Sequence, residues 1–145
     1  ALIMAIVLGA HLLAMSINLI MSFLAIELMS VSAYVLAGFT FDQKSAEGSL
    51  KYFLFGAVAS AIMLYGMSVI YGLSGTTDFA SAAFVHNLAA QHTPLVLIGG
   101  LMVVGGFLYK LAAVPMHPWA PDVYEAAPMP VIAFFSVAPK LAGLA

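Results

Sequence analysis

The sequence predicts an all-α protein, a polytopic bundle of transmembrane helices in which prolines break some of the helices. Hydrophobic residues make up 64% of the chain and charged residues only 7%, whereas soluble domains contain about 25% charged residues. Apolar segments of about 20 residues, the length that crosses a bilayer, recur along the chain. Two lysines, Lys110 and Lys140, lie inside such segments, each close to a proline.

The first half of the chain predicts one partial helix and two spans. Residues 1–14 are apolar but too short to cross a bilayer alone. A full span is predicted at about residues 19–41, with Asn18 as its N-cap or as part of a turn. The polar residues 42–47 are predicted to form a loop, followed by a span at about residues 49–73.

The second half predicts one more span and a second partial helix. Before this span, Asp78 is expected to cap a short helix, residues 79–90, on the membrane surface. The third span is predicted at about residues 94–114, because Pro94 is favoured in a first helical turn. Residues 116–127 are predicted to be a loop and residues 128–145 a partial helix. Because both ends of the chain are apolar, we expect the 145 residues to be one transmembrane piece of a larger polytopic protein.

Composition limits the partners and cofactors of these residues. The four basic residues are lysines and the formal net charge is -2, which argues against binding to nucleic acid. The sequence has no cysteine, so it offers neither a disulfide nor the thiolate ligands of an iron–sulfur cluster. We therefore expect no cofactor and no metal site in this chain.

The lysines within apolar segments are the first candidates for function. A charged lysine in hydrocarbon costs roughly 2.5–3.5 kcal/mol even on the lenient insertion scale, so Lys110 and Lys140 are functional candidates. Pro115 and Pro139 each lack an N–H and free the carbonyl four residues earlier, which predicts two helix breaks. Such carbonyls are tolerated at membrane depth only where protein or water satisfies them. The pattern therefore predicts hydrated proton-transfer sites beside Lys110 and Lys140.

Glu27 is the acid that lies deepest in a predicted span, as the ninth residue of the span that begins at Leu19. Its carboxylate is too short to reach the membrane surface, so it is a candidate for proton transfer. Ser30 and Tyr34 follow it at helical spacing and share its face, which we expect to point away from lipid. The alternative is a structural role, in which protonated Glu27 binds a neighbouring helix.

Three further residues are candidates for supporting roles. Glu47 precedes Lys51 by four residues, the favourable order for an ion pair on one helix. Lys51 is alternatively an anchor at the membrane interface. If the helix continued past Pro115, His117 would share a face with Lys110, but a loop histidine that caps backbone groups fits the sequence equally well.

The remaining polar and aromatic residues have simpler interpretations. Trp119 and Tyr124 are typical of an aromatic belt at a membrane interface. Asp122 and Glu125 are interpreted as loop acids. Lys44 weakly places its polar stretch on the cytoplasmic side by the positive-inside rule.

Several runs of residues resemble one known family. The run KLAAVPMHPWAPDVYE at residues 110–125, followed by APMPVIAFFSVAPK, resembles the proton-translocating membrane subunits of respiratory complex I (NADH:quinone oxidoreductase), which are related to Na⁺/H⁺ antiporters. Residues 25–39 and 49–75 fit the same family, and the run SVAPK is similar to its N-type branch. Two departures are Ala126, where the family pattern has glycine, and Met129, where it has threonine.

The resemblance implies roles for particular residues. Glu27 corresponds to the membrane glutamate of the family, Lys110 to the lysine of its broken helix and Lys140 to the lysine of the following helix. These three are the implied proton-transfer residues. Three other positions match charged or polar residues of the pattern and have implied supporting roles, namely Glu47, Lys51 and His117.

The resemblance also implies an architecture and partners. It makes the chain one arm of an antiporter-like inverted repeat. The expected partners are the lipid bilayer and other membrane subunits of complex I, and partner subunits are expected to hold NADH, FMN, the iron–sulfur clusters and quinone. The implied location is a bacterial plasma membrane, with a mitochondrial inner membrane or a thylakoid membrane as alternatives.

Two other functions stay open from the sequence. One is a subunit of a multi-subunit Na⁺/H⁺ antiporter, which the proteins that purify with the full-length chain would distinguish. The other is a structural subunit without a proton path of its own, whose buried charges could be replaced by apolar residues without loss of pumping.

Overall fold

The computed structural model describes residues 1–144, and these residues form seven α-helices. The helices are α1 (Leu2–Ala14), α2 (Leu19–Ala37), α3 (Gln43–Ser74), α4 (Ala82–Ala90), α5 (Pro94–Leu111), α6 (Trp119–Ala126) and α7 (Met129–Leu144). Three of them, α2, α3 and α5, are long and apolar enough to cross a membrane. The all-α class predicted from the sequence is confirmed.

Helix α3 begins earlier than predicted. Asp42 is its N-cap, and the carboxylate accepts a hydrogen bond from the main-chain N–H of Ser45 at 2.7 Å. The predicted loop at residues 42–47 is therefore wrong, since helix α3 starts at Gln43. The hydrophobic content of a sequence marks the part of a helix that fits in lipid, whereas capping and polar side chains let the helix continue into water.

Helix α4 begins later than predicted. Its N-cap is Ser81, and Asp78 instead closes a tight turn by accepting the main-chain N–H of Ala80 at 3.0 Å. The residues around Asp78 are held against the turn between α1 and α2, where Phe79 N–H donates to the carbonyl of Ile17 at 3.1 Å. This extended pairing is incompatible with helix, so α4 starts three residues after Phe79.

The chain leaves helix α5 before Pro115 and re-enters helix at α6. The last residue of α5 is Leu111, and Ala112 adopts a left-handed conformation with φ of 54°. The Val114–Pro115 peptide bond is cis. The segment predicted to be a loop at residues 116–127 contains α6, which is a correction to the sequence analysis.

Pro139 does not break its helix. Helix α7 continues through Pro139, so the predicted break at this residue is not found in the described part of the chain. A proline costs one helical hydrogen bond, but packing on both sides can hold the helix together. Phe135 and Ala142, which flank Pro139, are both buried.

Close packing of α3 on α5 places the candidate site at the centre of the bundle. A Cβ atom at Gly106 of α5 would lie 2.5 Å from the Cβ of Met63 on α3, so only glycine allows this approach. Met63 is fully buried, and α2 packs on α3 nearby, where Ile26 is 1% exposed. The contacts bring the polar faces of α2, α3 and α5 together.

Candidate functional site

Lys110 and Glu27 face each other between α5 and α2. The Nζ of Lys110 lies 3.8 Å from Oε1 of Glu27, and their side chains are 12% and 29% exposed. This separation is longer than a charge-assisted hydrogen bond, which places N and O at about 2.7–2.9 Å. The two charges are therefore paired but not in direct hydrogen-bonding contact.

A hydroxyl from a third helix binds the carboxylate. Ser60 of α3 donates a hydrogen bond from Oγ to Oε1 of Glu27 at 2.5 Å. This is the same carboxylate oxygen that lies nearest to Lys110. The sequence analysis did not include Ser60 among the functional residues. Its hydroxyl in the middle of an apolar span was the feature of the sequence that could have indicated a functional role.

Two groups on the Glu27 face of α2 contact the amine. Lys110 donates a hydrogen bond to Oγ of Ser30, and its Nζ lies 3.5 Å from the hydroxyl of Tyr34. Ser30 in turn donates to the main-chain carbonyl of Ile26 at 2.6 Å. The predicted inward face of α2 is confirmed, since Glu27, Ser30 and Tyr34 all meet Lys110.

A small cavity lies beside the Lys110 amine. Its volume is about 20 Å³, and it is bounded by Ser30, Lys110 and Tyr52 and, on α7, by Pro139 and Gly143. A cavity needs about 10–15 Å³ to hold one water molecule, and Ser30, Tyr52 and Lys110 are the polar side chains in a lining that is otherwise apolar. The cavity therefore gives Lys110 room for one water on the side that faces α7.

Lys140 lies on α7, away from the Lys110–Glu27 pair. It is half-buried, and its Nζ lies 5.6 Å from the centre of the Tyr124 ring. The hydroxyl of Tyr124 is buried and has no hydrogen-bond partner among residues 1–144. Within the described residues, Lys140 is thus placed against α6 and not in contact with Glu27 or Lys110.

Glu47 and Lys51 belong to a separate charged cluster, on the surface between α3 and α6. Lys51 pairs with Glu47 at 2.8 Å, as the sequence predicted, and also with Asp122 at 3.1 Å. Lys44 pairs with Glu125 at 2.7 Å. Asp122 and Glu125 are therefore not loop acids, since they lie on α6 and bind it to α3.

The structure decides between the two alternatives for His117 and corrects the predicted location of Trp119. His117 is exposed just before α6, and its carbonyl accepts the N–H of Ala120 at 3.0 Å, so it does not continue the Lys110 face. Trp119 is only 5% exposed and stacks inside the bundle, so its assignment to an interfacial belt is wrong. In residues 1–144, no group of three histidine or acidic side chains is arranged to hold a metal ion.

The arrangement can exchange protons. An amine, a carboxylate and hydroxyls from three apolar helices meet at the end of α5, with space for water beside the amine. Burial disfavours a charged amine and a nearby carboxylate favours it, so movement of one group changes the protonation of the other.

Fold and site together define a class of membrane-embedded helical protein in which a lysine at a helix break faces a glutamate on a neighbouring helix. Residues 16–145 match a family model described as NADH:quinone oxidoreductase/Mrp antiporter, TM. The chain belongs to this family.

Similar proteins are known from several bacteria. The chain is 49% identical to NADH-quinone oxidoreductase subunit N of Anaeromyxobacter sp., over 100% of the chain and 30% of the relative. It is also 49% identical to the subunit N of Trichlorobacter lovleyi, over 94% of the chain and 28% of the relative. The chain thus spans about 30% of the length of these curated relatives.

Solved structures with the same fold include respiratory assemblies. A chain in respiratory complex I from Thermus thermophilus with bound aureothin superposes with a TM-score of 0.87 at 34% identity, over 99% of this chain and 31% of the other. A chain of the Mrp complex from Dietzia sp. superposes with a TM-score of 0.83 at 24% identity, over 99% of this chain and 27% of the other. At this low identity, the similarity to the Mrp chain shows a shared fold alone.

Proposed function

We propose that this chain is part of a proton-translocating N-type membrane subunit of NADH:quinone oxidoreductase. One observation carries the proposal, namely the buried Lys110–Glu27 pair at the end of α5, bridged by hydroxyls and open to a water-sized cavity. Relatives at 49% identity carry the name of that subunit. The chain itself contributes no redox chemistry, and the energy comes from partner subunits that hold NADH, FMN, iron–sulfur clusters and quinone.

In this function Lys110 is the proton carrier and Glu27 controls its charge. With Glu27 close, the ammonium form is favoured, and when the carboxylate withdraws or is neutralised, burial favours the neutral amine. The released proton passes to water in the cavity between Lys110 and α7. Lys140 is the next proton-transfer residue, while Glu47, Lys51 and His117 support the path on the side of the membrane where α6 begins.

Replacing Lys110 tests this function. Lys110→Met removes the proton carrier and is expected to abolish NADH-driven proton uptake by vesicles that contain the assembled complex. Lys110→Arg is expected to reduce it nearly as much, because arginine keeps the charge but is effectively always protonated. Lys44→Arg is the matched control, since it replaces an exposed lysine but keeps the surface ion pair with Glu125, and it should pump as the parent does.

The Arg variant is decisive for the role of the lysine. If assembled Lys110→Arg enzyme pumps like the parent, Lys110 provides a fixed charge and does not carry protons. Normal pumping by assembled Lys110→Met enzyme would favour the structural-subunit alternative.

The proposed surroundings follow from the relatives. The partners are the lipid bilayer and other membrane subunits of complex I, and the location is a bacterial plasma membrane, since the relatives described above are bacterial. The antiporter alternative rests on the family description, which includes Mrp antiporters. It predicts Na⁺-dependent proton movement without NADH.

A further inference from the structure

At the end of α5, the main-chain carbonyl of the residue before Lys110 lacks its usual intrahelical donor. Ala112, in its left-handed conformation, donates its N–H to the carbonyl of Tyr109 at 3.0 Å. A carbonyl has a second lone pair, and the last carbonyls of a helix lack their usual intrahelical donors. Here the indole Nε1 of Trp119 donates to the same Tyr109 carbonyl at 3.2 Å. A side chain beyond the break therefore caps the helix that carries Lys110.

Tyr109 is held at a second point by the same neighbours. Its hydroxyl donates to the main-chain carbonyl of Tyr52 on α3 at 3.0 Å, and the residue is 3% exposed. The indole of Trp119 stacks on the Tyr52 ring with centroids 4.5 Å apart and planes within 7°. Both the main chain and the side chain of Tyr109 are thus fixed by one pair, Tyr52 and Trp119.

Two aromatic rings flank the Lys110 amine. Its Nζ lies 5.6 Å from the centre of the Tyr109 ring and 5.8 Å from that of Tyr34. Tyr34 packs edge-on against Tyr52 with centroids 4.7 Å apart. We call the four residues Tyr34, Tyr52, Tyr109 and Trp119 the aromatic clamp. It connects α2, α3, the end of α5 and the start of α6 around one lysine.

We propose that Trp119 is a positioning residue for Lys110, and that its indole N–H holds the end of α5 so that the amine stays at Ser30 and Glu27. The inference rests on the proposed role of Lys110 in proton transfer. Without the indole N–H, the Tyr109 carbonyl loses its side-chain donor in an apolar setting, which is unfavourable. The terminal turn of α5 then samples other conformations, and Lys110 spends less time at its partners.

The test replaces the N–H without changing the shape of the side chain. Benzothienylalanine has sulfur in place of the indole N–H and can be placed at position 119 of the full-length chain in its complex by codon suppression. NADH-driven proton uptake per assembled complex is expected to fall about fivefold, the effect of one ordinary hydrogen bond on the population of a conformation. Its pH profile is expected to be displaced, because the distance between Lys110 and Glu27 changes.

Three comparisons separate the effect of the donor from that of the ring. Tryptophan inserted at position 119 by the same suppression route should pump like the parent. An aza-tryptophan that keeps the ring N–H should restore most of the rate and the parental pH profile. Trp119→Phe, which keeps an aromatic ring but loses the donor, should resemble the benzothienyl variant.

The outcomes distinguish this inference from the proposed function. Parental rate and pH profile with benzothienylalanine would overturn the inference, while loss of pumping in Lys110→Met would still support the proposed function. A rate lowered by one factor at every pH would indicate a purely structural role and would also overturn it. Failure of the benzothienyl variant to assemble would show that the N–H is needed for folding or assembly, and this result would also overturn the inference.

Discussion

The hydroxyl of Ser60 is the residue-scale feature that most changes how the site is understood. A glutamate and a lysine in apolar helices could form a direct ion pair, yet here Ser60 occupies the carboxylate oxygen that faces Lys110. Lys110 correspondingly donates to Ser30. The hydroxyls keep the two charges near each other without direct contact, so small movements can join or separate them.

Removing the Ser60 hydroxyl should therefore impair proton transfer. A hydrogen bond to a charged group contributes about 1.5–3 kcal/mol, so Ser60→Ala is expected to lower the pumping rate about tenfold or more. Ser60→Thr keeps a hydroxyl and should recover much of the rate. The measurement is NADH-driven proton uptake by vesicles with equal amounts of assembled complex.

The control for this prediction is a serine outside the site. Ser136 is exposed, and among residues 1–144 its hydroxyl bonds only to the Ala133 carbonyl of its own helix, so Ser136→Ala should pump normally. Equal rates for Ser60→Ala and the parent would show that the Ser60–Glu27 bond is irrelevant to turnover.

At the scale of elements, the break between α5 and α6 contains a residue that prefers another conformation. Ala112 has φ of 54°, a left-handed conformation that glycine adopts readily and that costs other residues about 1–2 kcal/mol. Glycine is the usual residue at this position of a helix end. The alanine therefore leaves strain at the helix end that carries Lys110.

Relieving this strain should stabilise the protein. Ala112→Gly removes the steric cost but adds freedom to the unfolded chain, worth about 0.4–1 kcal/mol in the opposite direction. The expected net gain is about 0.5–1 kcal/mol in the free energy of unfolding of the purified full-length chain, followed by denaturant titration in detergent. Ala113→Gly is the control, because Ala113 does not have positive φ and should lose stability. A loss of stability in both variants would contradict the argument.

The helices also show which elements the sequence can predict and why it cannot predict the others. Residues 94–111 could be placed in a helix, because a long apolar segment has few other stable structures in lipid. The start of α3 and the whole of α6 depend on caps and ion pairs between distant segments, such as Lys44 with Glu125. Hydropathy carries no information on such pairs, so these segments were predicted as loops.

The site itself was only partly predictable for a related reason. Glu27 and Lys110 are conspicuous because ionisable residues are costly in apolar helices. Ser60 and Trp119 are ordinary residues in membrane proteins, and their roles depend on which helices meet. The packing of α2 on α3 places the Ser60 hydroxyl at Glu27, and the packing of α6 on α3 places the Trp119 indole at the Tyr109 carbonyl.

At the scale of the whole molecule, the chain has a buried lysine–glutamate pair but no cysteine to bind an iron–sulfur cluster. Its 145 residues include no cysteine, and two of its buried serines, Ser30 and Ser60, bind Lys110 and Glu27. In the proposed function, the energy for moving protons comes from other subunits. The proposed function therefore predicts stable attachment of the full-length chain to a redox assembly.

Purification of the full-length chain tests this requirement. A tagged chain, solubilised in mild detergent, is expected to bring down an assembly that oxidises NADH and shows the absorbance of flavin and iron–sulfur clusters. Lys110→Met should purify with the same coloured assembly, since the lysine is proposed to act in proton transfer and not in attachment. A colourless assembly that exchanges Na⁺ for protons when reconstituted would instead place the chain in an antiporter, and the redox-driven function would be wrong.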